Sequence, residues 1–558
     1  MAQVVRQPII LLVLLSCFIP DTKSNNAEIG VEIGERSPPN ILLLYADDLG
    51  YGDISSYNQD SKIQTPNIDR LANNGMSFTD AHSSSGVCSP SRYALLTGRY
   101  HWRKFHEHLG RYGAPVLDKI QLTLAEMLKD VGYHTALVGK WHLGWDWNAI
   151  KKNPNNNRDF ASDFDWSKRI PGGPIERGGF DYYFGDDVIN FPPYCWFENE
   201  GVYGQIPNDY FNQEKFKQLN QKEGSMQHNA GPMRDDWDFY AVLPTLLEKG
   251  IKYIETRDKV TPWFLFFSFP SPHLPIIPND KFDGASDAGP YGDSVVQLDD
   301  SVGRLLHAVD AAGFTQNTLV VFTSDNGPET LTSKLAYVRA TRYGHWSSGI
   351  LRGAKRDLYE GGHRVPMIFK WPGIIPEGKT ISALISQIDI FATVAAIVGY
   401  ELTSEDAEDS YNQLPLLSGN YDEKGTRDTI IYNTNEVPIN RVYAVRHKEL
   451  VYITSKTGYT WITPPQTWNN EYGYRDDWHN QGQLYNLTSD VGQRRNIIPI
   501  NNRYQIPPPL RPLIKQLKAL LTKIRTSKSD SPRLLPMCLA KTRIMELDEV
   551  INRCKYST

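Results

Sequence analysis

Four runs of apolar residues occur in the chain, and a cluster of polar side chains follows each of them. The runs occupy residues 40–46, 134–139, 263–269 and 318–323. None of them alternates between apolar and polar positions, which is typical of strands buried on both faces in a parallel sheet covered by helices. In open α/β sheets, ligands bind beyond the carboxyl ends of the strands. We therefore expect the four polar clusters to meet at one site.

Between these runs the spacing of apolar residues changes to that of helices. Asn67 and Thr123 are candidate N-caps for helices over residues 68–74 and 124–131, and a glycine follows each helix. Apolar side chains recur every three or four residues between 293 and 312, which predicts an amphipathic helix. Strands that alternate with helices in this way predict an α/β sandwich.

The pattern continues with a strand at residues 365–371 and a helix at 387–398, and it changes after about residue 430. Short apolar runs then predict a smaller antiparallel sheet, with strands at 430–432, 442–446, 450–453 and 484–485. An amphipathic helix at 513–524 follows this sheet. The predicted organisation is a large unit at 37–425, a small-sheet unit at 426–527 and a basic tail at 528–558.

The first residues have the composition of a secretory signal. Arg6 precedes an apolar run from Ile9 to Ile19, and Ser24 is a small residue near a candidate cleavage site. Because a membrane span needs roughly 20 apolar residues, we predict a cleaved signal peptide at residues 1–24 and no membrane span elsewhere. The protein is then expected to enter the endoplasmic reticulum and to be secreted or lysosomal.

Composition narrows the choice of partners. The chain has 558 residues, of which 40% are hydrophobic and 22% are charged, as in ordinary globular proteins. Its formal net charge of −5 gives no basic footprint for nucleic acid. An anionic substrate would therefore bind a local cluster of Lys, Arg and His side chains.

The cysteines allow one disulfide near the C-terminus. Cys17 lies in the signal segment, and Cys538 with Cys554 is the first candidate pair in an oxidising compartment. Cys195 is then free or paired elsewhere. The triplet that starts at Asn486 is a glycosylation acceptor, although such triplets also arise by chance.

The remaining cysteine, Cys88, begins the string Cys-Ser-Pro-Ser-Arg. Pro90 in the first turn and Gly98 at the end predict a helix that starts near Cys88. The unpaired N–H groups at that end favour negative charge, and Arg92 would add a positive charge one turn further on. Alternatively, Cys88 is a buried apolar residue or half of a disulfide.

Two acidic or amide pairs follow predicted strands. Asp47 and Asp48 come after the first apolar run, and Asp325 and Asn326 come after the last. Carboxylate and amide oxygens suit Ca²⁺ or Mg²⁺ and suit zinc poorly. Each pair alone is more often a turn or a helix cap. Two such pairs in a chain that also has the Cys88 string predict a cation site.

Two longer strings carry a resemblance to a known family. The string from Cys88 to Arg99 has the pattern C-x-P-S-R-x-x-x-L-T-G-R, and the string from Gly132 to Gly144 has the pattern G-Y-x-T-x-x-x-G-K-W-H-L-G. Both resemble the signatures of the formylglycine-dependent type I sulfatases, without a mismatch at the fixed positions. The resemblance extends from about residue 39 to about residue 495. It implies that the unit at 37–425 is a catalytic sulfatase domain.

The fold implied by this resemblance is an alkaline-phosphatase-like α/β sandwich. A large mixed, mainly parallel sheet would lie between helices, and a smaller C-terminal antiparallel sheet would carry a helix. This agrees with the two units expected from the apolar pattern alone.

The same resemblance implies a role for each polar cluster. A formylglycine-generating enzyme of the endoplasmic reticulum would oxidise Cys88 to Cα-formylglycine, whose hydrated aldehyde is the nucleophile. One Ca²⁺ per subunit would be bound by Asp47, Asp48, the modified Cys88, Asp325 and Asn326. The implied catalytic residues are Cys88, Arg92, Lys140, His142, His273 and Lys355.

Four of these residues would handle the substrate. Lys140 and Lys355 would bind sulfate oxygens, His273 would give a proton to the departing alcohol, and His142 would remove a proton from the second hydroxyl of the hydrate. His273 and Lys355 lie in shorter matching strings, Ser-Pro-His and G-x-K-x-x-x-x-E-G-G. The neighbouring Arg356 and His363 are expected to be structural.

The resulting hypothesis is a sulfatase that hydrolyses sulfate monoesters of sugars or aryl alcohols through a covalent sulfated formylglycine-hydrate intermediate. The arylsulfatases and N-acetylgalactosamine-6-sulfatase are the members that the chain resembles. One alternative is a phosphatase or phosphodiesterase of the same superfamily, and another is a non-catalytic secreted protein that binds sulfated glycans. A homodimer is also left open.

Two segments are candidates for the rim of the pocket. Residues 151–179 predict a long irregular loop. Residues 100–111 are basic and could hold further anionic groups of a polymer, although a solvated face is favoured. The charged and titratable residues of this segment are Arg103, Lys104, His106, His108 and Arg111.

Overall fold

The computed structural model describes residues 37–219, 229–329, 335–419, 427–433, 442–459, 464, 466–474, 480–498 and 506–527. The predicted signal peptide, the predicted boundary at 425–426 and the candidate pair Cys538 and Cys554 lie outside these ranges. Across the same ranges, no helix is both long enough and apolar enough to span a membrane.

The strands within these ranges are β1 Asn40–Ala46, β2 Met76–Phe78, β3 Ala81–His82, β4 His134–Gly139, β5 Tyr182–Gly185, β6 Trp196–Glu198, β7 Gly201–Tyr203, β8 Asp209–Phe211, β9 Gly231–Met233, β10 Trp263–Ser268, β11 Thr318–Ser324, β12 Met367–Lys370, β13 Lys379–Ile381, β14 Ile385–Ser386, β15 Thr429–Asn433, β16 Tyr443–His447, β17 Leu450–Ile453 and β18 Gln483–Asn486. The helices are α1 Pro66–Asn73, α2 Cys88–Thr97, α3 Leu124–Asp130, α4 Gln213–Gln218, α5 Val242–Glu255, α6 Gly289–Ala311, α7 Leu335–Tyr343, α8 Glu360–His363, α9 Asp389–Val398, α10 Leu414–Leu417, α11 Gln466–Glu471 and α12 Arg511–Thr526.

A mixed sheet in the order β13-β2-β12-β11-β1-β10-β4-β5-β6-β7 forms the centre of the large unit. The four predicted strands β11, β1, β10 and β4 lie side by side in its middle and pair in parallel. β12 pairs with β11 in the antiparallel direction, which makes the sheet mixed. The mixed, mainly parallel sheet expected from the sequence is therefore confirmed.

The strand β1 shows why the central strands are mainly apolar. Successive side chains point to opposite faces of a strand. Leu43 packs on one face with residues of α2, α3 and α9, whereas Leu44 packs on the other with residues of α1, α5 and α6. Helices cover both faces, so the strand is apolar apart from Asn40, whose side-chain oxygen accepts a hydrogen bond from the backbone N–H of Trp263, and the Tyr45 hydroxyl, which donates to Gln387.

The predicted helices occur, with shifted ends. Thr123 caps α3, because its hydroxyl accepts a hydrogen bond from the backbone N–H of Glu126 and the Glu126 carboxylate accepts one from the N–H of Thr123. The prediction that Asn67 caps the first helix is wrong. Thr65 is the N-cap there and Pro66 occupies the first turn, where its fixed φ suits the helix.

The C-terminal unit contains a four-stranded antiparallel sheet in the order β15-β16-β17-β18. The helix α12 covers one face, where Leu513 and Leu517 join a core with Val445 and Tyr452. The same core includes Trp102, which follows α2, so the small sheet packs against the large unit. The predicted small sheet with a helix is confirmed.

Candidate active site

The polar clusters lie together at the carboxyl edge of the central strands. Asp47 and Asp48 follow β1, and Lys140 follows β4. The Lys140 ammonium lies 2.6 Å from Oδ2 of Asp47, and the Lys355 ammonium lies 2.8 Å from Oδ2 of Asp48. All four side chains are buried. Residues far apart in the sequence therefore form one charged cluster below the protein surface.

Cys88 is the first residue of α2, as expected from Pro90 and Gly98. Gly98 ends the helix with a left-handed φ of 65°. The Cys88 sulfur lies 3.6 Å from Oδ1 of Asp47 and 4.0 Å from Oδ1 of Asp48, and it forms no disulfide within the described ranges. Burial, reinforced by Asp325, raises the pKa of this thiol far above its ordinary value. As encoded, Cys88 is thus a protonated and weak nucleophile.

Arg92 holds the cluster together from within α2. Its Nη2 and Nε donate to Oδ2 of Asp325 at 2.8 and 3.1 Å. Its Nη1 donates to the Ser268 hydroxyl at 2.6 Å and to the Lys140 carbonyl at 3.3 Å. The guanidinium therefore fixes the ends of β10, β11 and β4 relative to one another.

The oxygen atoms of this cluster fit a hard divalent cation. Asp48 has a left-handed φ of 67°, so the backbone turns there and both neighbouring carboxylates approach Cys88. The Asn326 amide nitrogen donates to Oδ1 of Asp48 at 2.7 Å. Its Oδ1 is buried and has no hydrogen-bond partner among the described residues. The Asn326 amide oxygen is thus a buried acceptor that no hydrogen-bond donor in the described part of the chain satisfies, and it lies with two carboxylates. Carboxylate and amide oxygens are the ligands that Ca²⁺ takes.

The carboxylates differ in how readily they ionise. Burial opposes ionisation of Asp47, but Lys140 and Arg92 outweigh it and hold the pKa of Asp47 below its ordinary value. For Asp48 and Asp325, burial prevails and raises the pKa of each carboxyl. Both carboxylate oxygens of Asp325 accept hydrogen bonds from the protein, Oδ2 from Arg92 and Oδ1 from the backbone N–H of Asp48.

The two predicted catalytic histidines are held in defined orientations. Nε2 of His142 lies 2.9 Å from the Leu109 carbonyl, whereas its buried Nδ1 has no partner within the described part of the chain. Nδ1 of His273 lies 2.7 Å from the Leu274 carbonyl, and its Nε2 lies 3.7 Å from Oδ2 of Asp48. Burial lowers the pKa of His142 well below its ordinary value, helped by Lys140, and lowers that of His273 to about 4.

Two residues beside His142 escaped the sequence prediction. His108, in the segment for which a solvated face was favoured, packs its ring edge-on against His142, with ring centroids 4.9 Å apart. Burial and the nearby Lys355 lower the pKa of His108 well below its ordinary value. Asp187 accepts a hydrogen bond from the His142 backbone N–H at 3.1 Å. The signal for Asp187 was present, because Asp186 and Asp187 follow β5 as the other clusters follow their strands.

Arg103, Lys104 and Arg111 of the basic segment each form an ion pair away from the cluster around Cys88. Arg103 is mostly buried and donates to both carboxylate oxygens of Asp409 at 2.6 Å. Lys104 pairs with Asp118 on the surface at 2.7 Å. Neither residue is therefore available as a ready-made subsite for the anionic groups of a polymer.

The two neighbours of Lys355 that were expected to be structural lie in different surroundings. Arg356 pairs with Glu329 at 2.6 Å, and Glu329 also lies 3.3 Å from Lys355, so Arg356 borders the active-site cluster. His363 stacks on Tyr432 with ring centroids 3.6 Å apart and takes part in a separate buried network.

Comparison with known proteins identifies the family. The family model described as Sulfatase matches residues 39–400, and a model described as N-sulphoglucosamine sulphohydrolase, C-terminal, matches residues 353–520. An N-acetylgalactosamine-6-O-sulfatase of Bacteroides thetaiotaomicron is 31% identical over 531 residues, covering 90% of this chain and 96% of its own length. Arylsulfatase A of Bos taurus is 32% identical over 516 residues, covering 90% and 91%.

Solved structures show the same likeness. A sulfatase structure described under the metabolism of glycosaminoglycans by Bacteroides thetaiotaomicron has a TM-score of 0.71 and 28% identity, covering 88% of this chain and all (100%) of that one. A sulfatase from Pseudoalteromonas sp. has a TM-score of 0.62 and 23% identity, covering 89% and 92%, and it supports the fold alone. The fold, the family models and these relatives agree, and the chain belongs to the sulfatase family and is a sulfuric ester hydrolase.

Proposed function

We propose that this sulfatase removes a sulfate monoester from a sugar or an aryl alcohol, with Ca²⁺ and a formylglycine derived from Cys88 in its active site. The observation that carries the proposal is the buried cluster around Cys88, in which Lys140, Lys355 and Arg92 face the carboxylates of the cation site. The relatives named N-acetylgalactosamine-6-O-sulfatase and arylsulfatase A support this substrate class.

The cation would be held by Asp47, Asp48, Asn326 and residue 88, with Asp325 completing the set. A bound Ca²⁺ supplies positive charge that favours ionisation of the attacking hydroxyl and offsets the charge of the sulfate. The donor set is oxygen-rich, which suits Ca²⁺ better than zinc.

Lys140 and Lys355 would bind the sulfate oxygens. Both ammonium groups are buried, and each now lies within hydrogen-bond distance of a carboxylate that belongs to the proposed cation site. Once those carboxylates serve the cation, both ammonium groups can donate hydrogen bonds to an anion, although Lys355 also has Glu329 at 3.3 Å. In a site that excludes water, such donors stabilise transition-state charge far more than they would in solution.

His273 would protonate the departing alcohol. Its Nδ1–H donates to the Leu274 carbonyl, which leaves Nε2, on the side of Asp48, to carry the transferable proton. Burial lowers the pKa of His273 to about 4 in the unliganded protein, and a negative sulfate bound nearby would raise this pKa and favour the protonated form. An alcohol is a poor leaving group, so this proton transfer contributes to the rate.

His142 has the opposite arrangement and would act as a base. Its Nε2–H donates to the Leu109 carbonyl, so Nδ1 carries the lone pair. The depressed pKa keeps this imidazole neutral at ordinary pH. A formylglycine hydrate supplies two hydroxyl groups, one for attack on sulfur and one whose proton His142 can remove.

The proposed route of maturation follows from the N-terminal segment. The signal peptide at residues 1–24 would deliver the chain to the endoplasmic reticulum, where a formylglycine-generating enzyme would convert Cys88, and the product would be secreted or lysosomal. The raised pKa of the buried thiol supports the need for conversion, since a protonated thiol attacks sulfate esters poorly.

The experiment is a comparison of ester hydrolysis by the full-length enzyme. The sulfate and the phosphate of the same phenol are assayed beside defined sulfated glycosaminoglycan and algal oligosaccharides, and inorganic sulfate is quantified. We expect release of sulfate from at least one ester and a preference for sulfate over phosphate. Preferential hydrolysis of the phosphate ester, or no sulfate release by converted enzyme, would overturn the proposal.

A further inference from the structure

Cys88 belongs to a second group of potential ligands, in addition to the carboxylates. One ligand atom from each of Cys88, His108 and His142 lies within 4.8 Å of the other two. A thiol with two imidazoles is a set that Zn²⁺ prefers, whereas Ca²⁺ prefers oxygen ligands. The carboxylates near Cys88 therefore suit Ca²⁺, whereas Cys88 with the two histidines suits Zn²⁺.

The orientation of His142 is that of a metal ligand. Its Nε2–H donates to the Leu109 carbonyl at 2.9 Å. Its Nδ1 has no partner in the described ranges, although His142 is buried and only 4% exposed. Metal-binding histidines commonly donate one ring N–H to a backbone carbonyl, which fixes the tautomer and leaves the other nitrogen for the metal. The carbonyl comes from the residue that follows His108, so one loop positions both rings.

His108 completes the group from the solvent side. Its ring packs edge-on against the rings of His142 and Phe191, with ring centroids 4.9 and 6.4 Å away. Unlike the other two members it is only partly buried, which gives an ion a path from solvent. Tetrahedral coordination needs Zn–S and Zn–N distances of about 2.3 and 2.0 Å, so the three ligand atoms would move closer together through side-chain rotation.

We propose that the chain binds one Zn²⁺ through Cys88, His108 and His142 when Cys88 remains a thiol. The S–H bond breaks and its proton goes to solvent, while one Zn–S and two Zn–N bonds form and a water fills the fourth position. No electron transfer is involved. Bound zinc occupies the free nitrogen of His142 in the unconverted protein, and conversion of the thiol to an aldehyde abolishes this site.

The group on the carboxylate side of Cys88 provides the matched control. Asp47, Asp48, Cys88 and His273 also offer ligand atoms within 4.8 Å of one another. That group has two carboxylates and one imidazole and suits a harder cation. The variants His108→Phe and His273→Phe each remove one imidazole and keep an aromatic ring, so they distinguish the two groups directly.

The test uses full-length protein produced without the converting enzyme, with the thiol verified by mass spectrometry, in buffer that contains Ca²⁺. Co²⁺ is titrated as a spectroscopic probe of thiolate ligation, and Zn²⁺ is then used to displace it. We expect one ion per chain with a sulfur-to-cobalt charge-transfer band. His108→Phe should weaken Zn²⁺ binding by at least about 100-fold, the upper end of what the loss of an outer-shell partner costs, and His273→Phe by less than about threefold.

Cys88→Ser should abolish the charge-transfer band, and converted protein should lack it. The proposal is overturned if the thiol form binds no Co²⁺ or Zn²⁺, if Cys88→Ser binds equally well, or if His273→Phe weakens binding as much as His108→Phe does. Circular dichroism checks the fold of each variant, and His108→Gln replaces His108→Phe if the latter does not fold. Because the readout is metal binding by the thiol form, its failure leaves the proposed hydrolysis of sulfate esters unaffected.

Discussion

Lys140 and Asp47 show how much of the site depends on single residues. Their charged atoms are 2.6 Å apart and both side chains are fully buried. Removing one member of such a pair leaves the other charge without compensation, which typically costs about 3–5 kcal/mol. The cluster is therefore stable only as a whole, and under the proposed function each lysine would serve both the fold and the sulfate.

Replacing Lys140 by alanine is expected to lower kcat/KM for an aryl sulfate by at least about 100-fold, because one donor to the sulfate oxygens is lost. Lys104→Ala is the matched control, since Lys104 pairs with Asp118 on the surface. It should change kcat/KM by less than about twofold, as a surface pair is worth little. Activity of Lys140→Ala within tenfold of wild type, in protein with an unchanged circular dichroism spectrum, would refute the role given to Lys140.

Removal of Ca²⁺ with a chelator should abolish activity, and added Ca²⁺ should restore it. Asn326→Ala removes the buried Oδ1 that lacks a partner among the described residues. It should raise the Ca²⁺ concentration needed for half-maximal activity by about tenfold, equivalent to about 1.4 kcal/mol. Asn317→Ala lies at the other end of β11, where Asn317 donates to the Pro38 carbonyl, and should leave this concentration unchanged. An equal effect of both variants would contradict the cation site.

At the scale of elements, the site depends on where strands and helices end. α2 begins at Cys88, two residues before Pro90 and without a side-chain cap, whereas α3 begins after Thr123, whose side chain caps it. The Thr123 hydroxyl accepts from the Glu126 N–H and also donates to the Gly178 carbonyl at 2.8 Å. This cap therefore ties α3 to the irregular loop at residues 151–179 as well as to its own first turn.

Thr123→Ala should lower the free energy of unfolding by about 1–2 kcal/mol, because it removes the cap and a buried hydrogen bond. The expected readout is a lower thermal unfolding midpoint with kcat/KM unchanged. Thr522→Ala, on the exposed face of α12, is the control and should shift stability by less than about 0.5 kcal/mol. A Thr123→Ala midpoint equal to that of Thr522→Ala would show that the cap contributes nothing.

The sequence predicted the central elements and missed the peripheral ones for one physical reason. β1, β4, β10 and β11 are buried on both faces, so their apolar runs are continuous and visible. Edge strands such as β7 and β13 have three residues each and are partly exposed, so no pattern marks them.

The site residues also fall into two groups, those that the sequence predicts and those that it does not. Asp47, Lys140 and Asp325 follow visible strands, so sheet topology alone predicts their convergence. His108 and Glu329 come from loops, and their contacts with His142 and Lys355 depend on how those loops fold over the sheet. The sequence favoured a solvated face for Arg103. Its buried ion pair could not be predicted, because the partner Asp409 lies 306 residues away.

At the scale of the whole molecule, a buried polar network joins the large unit to the small sheet. Arg446 of β16 donates to Asp80 at 2.5 and 2.7 Å, and Asp80 lies 2.8 Å from Nε2 of His82. Nδ1 of His82 faces Nδ1 of His363 at 3.1 Å. Burial is the main cause that holds the pKa of His82 at about 4 and that of His363 at about 3.

Acid should therefore lower the free energy of unfolding through this network. In the native state both histidines bind fewer protons than in the unfolded chain, so their contribution is complete above about pH 6.5 and is lost as the pH falls toward 4. The thermal midpoint should fall over this range. His363→Phe keeps the stacking on Tyr432 and should flatten the pH dependence. An unchanged slope in that variant would rule out His363 as a contributor.

The central claim joins chemistry at residue 88 to sulfate ester hydrolysis, and one measurement tests it most directly. Active enzyme is digested with trypsin, and the peptide that contains residue 88 is analysed by mass spectrometry alongside the specific activity of the same preparation. We expect formylglycine at residue 88, in a fraction that rises in proportion to activity across preparations. Full activity in a preparation whose residue 88 is entirely unmodified cysteine would contradict the account.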